Sequence, residues 1–209
     1  MAAQPGSAQS SQVARRSCRI APERFTTPPW HTRSVSTLEQ LSAELPALAR
    51  RAIAAHLSGS PPVAASRSGA PAAGVFVTLR NPDGSLRGCI GSIAPAEHDV
   101  FAETARSAVL AATRDPRFPP VEPEELAGLS IEVSVLAPDE PVSGLSDLDP
   151  KHFGVIVSDG AGRRGLLLPD IDGVDDAATQ VAIARQKAGI GAGAPVRLSR
   201  FRVTKAKEA

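Results

Sequence analysis

The sequence predicts an α+β fold, a mostly antiparallel β-sheet flanked by helices with a smaller lobe beside it. Three observations carry this expectation. Two β-rich runs in GVFVTLRNPDGSLRGCIGSI (74–93) flank a turn whose proline and glycine favour a tight reversal. LSIEVSVL (129–136) alternates Leu129, Ile131, Val133 and Val135 with Ser130, Glu132 and Ser134, the period-2 pattern of a half-buried strand. Helical and strand patterns then follow one another as helix, hairpin, helix, strand, hairpin, helix, strand, without the strict βαβ alternation of a parallel sheet.

The first helix is expected within 34–57. Ser36 with Glu39, or Thr37 with Gln40, forms a capping-box pattern, and Leu38, Leu41, Leu45 and Leu48 trace one apolar face. Pro46 must kink that helix or stand in the first turn of a second one. Residues 58–73 have loop composition and form an unusually long connection. After the hairpin at 81–84 a helix is expected from Glu97 to about Thr113; its alanine-rich side implies close packing on a sheet. The prolines of DPRFPPVEPEEL (115–126) stiffen the next connection. FGVIVSDGAGRRGLLLPD (153–170) is a second hairpin around Asp159–Gly162. VDDAATQVAIARQKAGI (174–190) reads as a helix with Asp175 at the N-cap, Arg185 and Lys187 in its last turn, and Gly189 at its stop. PVRLSRFRV (195–203) closes the chain as a strand.

Length and composition bound the rest. The 209 residues, 42% hydrophobic and 22% charged, suit one globular domain with an appended lobe. With 3% aromatics and no tyrosine, Leu, Val, Ile and Ala must build the core. Residues 1–35 have the composition of a disordered N-terminal extension, and 36–205 form the expected domain. The net charge of +1 conceals an arginine-rich N-terminus of about +4 and a body of about −3. A mildly acidic body without a basic stripe gives nucleic acid no footing. No apolar run approaches the ~20 residues needed to cross a bilayer. Two cysteines, Cys18 and Cys89, make neither a disulfide framework nor a metal cluster, so a reducing cytoplasm is expected and no cofactor is predicted. No phosphate-binding glycine loop, nucleophile elbow or dinucleotide fingerprint is present.

The one stretch with chemical promise is SLRGCIGSIAP (85–95). Cys89 stands between Gly88 and Gly91 in a strand, and glycine in a strand marks a bulge or the close approach of a ligand or another backbone. A nucleophilic thiol needs a positive neighbour or a base. Arg87 lies on the same face as Cys89 if the pleat is regular; His56, His98 and His152 are possible bases. RDPRF (114–118) is either a turn in which Asp115 caps backbone and pairs with an arginine, or a cleft element with Arg117 free to hold a carboxylate or phosphate. GRRGLLLPD (162–170) brings Arg163 and Arg164 to a buried strand.

LRGCIGSI, DPRFPPV with the following EEL, LSIEVSVLAPDEPV, and GRRGLLLPDIDGVDDAATQVAIARQKAGI together resemble, in order and spacing, the AMMECR-domain family, in its prokaryotic branch of AmmeMemoRadiSam system proteins A. The resemblance covers roughly residues 38–203. It implies an antiparallel α+β domain and association with a Memo-like protein and a radical-SAM protein; it implies no settled activity. The family cysteine falls on Cys89, its motif arginine on Arg87, and its DPRF on Asp115 to Phe118. His152 departs from the family pattern and carries little weight. Two functions are therefore expected in competition. One is a cysteine-dependent enzyme acting on a small anionic or aromatic metabolite, with Cys89, Arg87 and Glu132 catalytic and Gly88, Gly91, Asp115, Arg117 and Arg164 binding substrate. The other is a non-catalytic adaptor or ligand-binding module for the same partners.

Overall fold

The computed structural model describes residues 41–208. The expected extension at 1–35 and the capping boxes at Ser36 and Thr37 lie outside the described residues. The elements are α1 (Leu45–Leu57), β1 (Val75–Arg80), β2 (Leu86–Gly91), α2 (Val100–Thr113), β3 (Ser130–Leu136), β4 (Glu140–Val142), β5 (Gly154–Ser158), β6 (Arg164–Leu167), α3 (Ala177–Lys187), β7 (Arg197–Phe201) and β8 (Val203–Lys207). The fold is α+β, with two antiparallel four-stranded sheets ordered β2-β1-β3-β8 and β4-β7-β5-β6.

Side-chain alternation sorts the molecule into layers. Val75, Val77 and Leu79 of β1 and Ile131, Val133 and Val135 of β3 face α1 and α2, forming a core with Leu45, Ile53, Val100 and Ala108. The opposite face of that sheet meets the second sheet through Leu136, Ile156, Leu166 and Phe201, with Phe76 and Val203 at the margin. Beyond the second sheet, Val155, Val157 and Leu167 pack on Val181 and Ala184 of α3. Burying a phenylalanine such as Phe201, 1% exposed, contributes about 2–3 kcal/mol, so the inter-sheet core fastens the two lobes together.

Pro46 stands in the first turn of α1, the second of the two placements expected for it, where its missing N–H costs no hydrogen bond. Several boundaries differ from expectation. The second helix begins at Val100, not Glu97. Asp99 caps it by accepting the N–H groups of Phe101 and Ala102, while buried Glu103 accepts those of Ala96 and Glu97 and keeps them in a loop. The cap of α3 is Asp176, which accepts from Thr179, rather than Asp175. PVRLSRFRV is not one strand. It crosses from the second sheet as β7 to the first as β8, and the Arg202 carbonyl between them accepts from the Ala137 N–H. The polar face of β3 is exposed at Ser130 and half-buried at Glu132, as expected of a half-buried strand, and closes at Ser134, which is 1% exposed.

Candidate functional site

β2 is the edge strand of its sheet, and Cys89 is paired across it with Thr78 of β1. The main-chain groups of Cys89 point away from β1. Its N–H donates to Asp115 Oδ2 at 2.8 Å, and its carbonyl accepts from Arg117 Nη2 at 3.5 Å. A carboxylate and a guanidinium thus stand where another strand would hydrogen-bond, which closes the exposed edge at that one residue. Asp115 is in turn held by Arg117, whose backbone N–H, Nε and Nη2 lie 3.1, 2.9 and 2.7 Å from its carboxylate. The Arg117 hydrogen bonds place the Asp115 carboxyl well below the usual carboxylate range, against the opposing effect of its burial. Of the two expectations for RDPRF the turn is the one present: Asp115 caps local backbone and pairs with Arg117, which is thereby committed to Asp115 beside the Cys89 carbonyl.

The side chain of Cys89 faces the interior between the lobes, at the margin of the sandwich. Opposed residues without a shared ladder bond bring their side chains close, and Thr78 Oγ1 donates to Cys89 Sγ at 3.3 Å. The register continues the row from Thr78 to Glu132 and from Glu132 to Lys207. Glu132 therefore shares the face of Cys89 but lies two strands away, roughly 10 Å at ordinary strand spacing, and its carboxylate pairs with Lys207 Nζ at 3.1 Å.

The glycines that strip this strand are accounted for by the chain's own backbone. A Cβ on Gly88 would lie 2.4 Å from the Ala111 carbonyl oxygen of α2, and one on Gly91 would lie 2.1 Å from that of Val75. Of the three causes open at the sequence level, the adjoining backbone is the one present. Arg87 also has a different task from the one expected. Leu79 opposes Gly88 while Arg80 opposes Leu86, so Arg87 sits in a bulge and the regular pleat that would aim it at the sulfur is broken. Its buried guanidinium donates to the carbonyls of Pro119 and Pro120 and to Glu125, and so staples the proline-rich connection to the sheet. Arg164 pairs with Asp139 at 3.5 Å. His98 contacts Ser66 and Asp99, His152 contacts Asp149, and His56 lies on the rim of a groove between α1 and α2.

Thr78 is the residue that sequence reasoning missed: it reads as an ordinary strand threonine until the register sets it opposite Cys89, where its hydroxyl donates to the sulfur. Gly165 of β6 lets α3 approach closely, with the Ala184 carbonyl and the Ala188 Cβ occupying the space a side chain would need. Lys187, in the last turn of α3, meets solvent, and partial burial lowers its pKa below the ordinary lysine value. Three elements thus contribute to one cluster: β1 the hydroxyl, β2 the thiol, and the 114–118 turn an ion pair that holds the Cys89 main chain. Among the described residues, no group of three or more His, Cys, Asp or Glu could hold a metal ion. None of the described helices is long and apolar enough to cross a membrane.

The AMMECR1 family profile matches residues 46–206, from the first turn of α1 into β8. This chain belongs to the AMMECR1 family. A Thermotoga maritima protein is 56% identical over 118 residues, covering 56% of this chain and 67% of that protein. A Clostridium acetobutylicum protein is 43% identical over 136 residues, covering 65% of this chain but only 28% of its own length. The crystal structure of the PH0010 protein of Pyrococcus horikoshii superposes with a TM-score of 0.72 at 32% identity, covering 81% of this chain and 92% of that one. The two-lobed architecture is therefore shared with a relative of known structure, and the AMMECR1 region of this chain contains the whole Cys89 cluster.

Proposed function

We propose that this AMMECR1 protein is a cytoplasmic cysteine-dependent enzyme acting on a small anionic molecule between its lobes, with Cys89 as the nucleophile. The observation that supports this most is the partly buried Cys89, whose sulfur accepts from Thr78 Oγ1 while its carbonyl accepts from Arg117 Nη2. A thiol used only to fill space needs no such surroundings. The Arg117 guanidinium at this strand edge would attract a negatively charged substrate toward the thiol. Thr78 orients the sulfur, and Asp115 holds both the Cys89 backbone and Arg117. Glu132, paired with Lys207 two strands away, lies beyond direct reach of the sulfur and bounds the same face.

The test is to incubate the wild-type chain and Cys89→Ser with a fractionated pool of small anionic metabolites, following metabolite masses and the intact protein mass. Depletion of a metabolite or a covalent adduct, seen in wild type and absent in Cys89→Ser, is expected. Identical traces for the two proteins would overturn the proposal.

A second reading, an adaptor within an AmmeMemoRadiSam-type system for Memo-like and radical-SAM partners, draws on one feature. A groove of about 320 Å³ runs over α1 and α2, lined by Ala52, Pro62, Val63, Val109 and Leu110. It lies on the helical layer, on the other side of the sheet from Cys89. Leu110→Asp should abolish capture of a Memo-like protein under that reading, and Cys89→Ser should not.

A further inference from the structure

We propose that the groove between α1 and α2 is a docking site for this chain's own N-terminal segment, with Trp30 as the residue that fills it. The inference is independent of the Cys89 reading. It concerns the other side of the first sheet, where the helical layer leaves apolar surface uncovered. On α1 the groove is lined by Ala52 and His56, one turn apart, and on α2 by two such pairs, Ala105 with Val109 and Arg106 with Leu110. The alanines leave space between the helices, and Val109 and Leu110 stay half-buried beside it. Gly59, at φ 66°, ends α1; its N–H donates to the His56 carbonyl and that of Ser60 to the Ala55 carbonyl. The chain then turns back so that Pro62 and Val63 form a third wall. The cavity holds about 320 Å³, within the range of pockets that bury a small organic group.

Reach, composition and charge select the occupant. The described residues begin at Leu41, which packs on the main core just ahead of α1. Ala52 and His56 lie roughly 10–17 Å along the helix from Leu45. The 11 residues from Trp30 to Leu41 can span roughly 36 Å, which covers that distance. Trp30 is the only tryptophan in a chain with 3% aromatics, and an aromatic side chain brings about 150–250 Å² to such a site. Pro28 and Pro29 precede it, and their fixed φ lowers the entropy lost on docking. At the groove edge Arg106 has Glu103 at 3.3 Å and Glu97 at 3.9 Å, two carboxylates to one guanidinium. The segment brings Arg24 and Arg33 on either side of Trp30, and its charge of about +4 meets a body of about −3. Under the adaptor reading, a partner must displace this segment before it can occupy the groove.

The single tryptophan makes the test direct: with no tyrosine in the chain, emission from the full-length protein reports Trp30 alone. The expected result is a maximum blue-shifted from that of the urea-unfolded chain, with weaker quenching by acrylamide. Leu110→Asp and Ala105→Gln each put a polar group in the groove and should move the maximum to the red and restore the quenching. Circular dichroism melts show whether each variant folds. Ala105 is half-buried and glutamine is a good helix former, so Ala105→Gln decides the matter should Leu110→Asp unfold. Parent emission equal to that of the unfolded chain overturns the proposal. So does a blue shift that either folded variant leaves unchanged, since Trp30 would then be seated elsewhere. A blue shift lost on dilution, with a dimer on gel filtration, refutes docking within one chain and assigns the groove to a second copy.

Discussion

Asp115→Asn removes one charge from the cluster while keeping its shape, and the structure allows the cost to be worked out. Asp115 is 5% exposed and accepts four hydrogen bonds, two on each oxygen. Asparagine can offer its single oxygen to only one of those pairs. Its amide NH₂ must then face two donors, either Cys89 N–H with Arg117 Nη2 or the backbone N–H and Nε of Arg117. Two hydrogen bonds are lost, at least one of them charge-assisted, which in a buried site amounts to about 3–4 kcal/mol. Arg117 is half exposed, 55% by its side chain, and can turn to water, which lowers the net loss to about 2–3 kcal/mol. For a folded body of this size that is a fall of about 5–10 °C in melting temperature. Urea and thermal melts of the two proteins measure it. A loss below about 0.5 kcal/mol would show that the Asp115–Arg117 pair does not hold the β2 edge, and the description of this turn as an edge cap would be refuted.

Other outcomes follow from the same geometry. Because the Asp115 carboxyl titrates lower in the folded protein than its ordinary 3.8, its stabilisation is present in full above about pH 5. It should be lost as pH falls below about 4, and Asp115→Asn should flatten that part of a stability-against-pH curve measured by urea melts. Gly88→Ala should cost about 2 kcal/mol or more, since its methyl would meet the Ala111 carbonyl oxygen at 2.4 Å and α2 cannot withdraw without opening the main core; a neutral melt would mean that β2 and α2 are looser than described. Cys89→Ser should be within about 1 kcal/mol of the parent because the site is half exposed and Thr78 can hydrogen-bond the new hydroxyl. A loss above about 2 kcal/mol in Cys89→Ser, with Cys89→Ala well tolerated, would return the sulfur to an apolar structural role.

Much of the fold was legible in the sequence because its signals are local. The Asn81–Gly84 and Asp159–Gly162 turns, the alternation in β3 and the Gly189 stop of α3 each depend on neighbouring residues alone, and each is present. The errors arise where distant partners decide. Glu97 reads as a helix start until Glu103, six residues on, takes its N–H. Arg202 looks like mid-strand until the two sheets on either side of it are known. The site divides in the same way. Cys89, Asp115 and Arg117 stand out in short motifs, and the structure brings them together. Arg87 misleads because a bulge cannot be read from six residues, and Thr78 is silent because only the strand register sets it opposite Cys89.

The central claim, that Cys89 is a reactive thiol and not packing, is tested most directly by a short pulse of iodoacetamide at pH 7. Mass spectrometry then compares the peptides containing Cys89 and Cys18. Faster labelling of Cys89 than of Cys18 in the native chain is the predicted result. Labelling of Cys18 with Cys89 intact until urea is added would contradict it and remove the basis for an enzyme at this site.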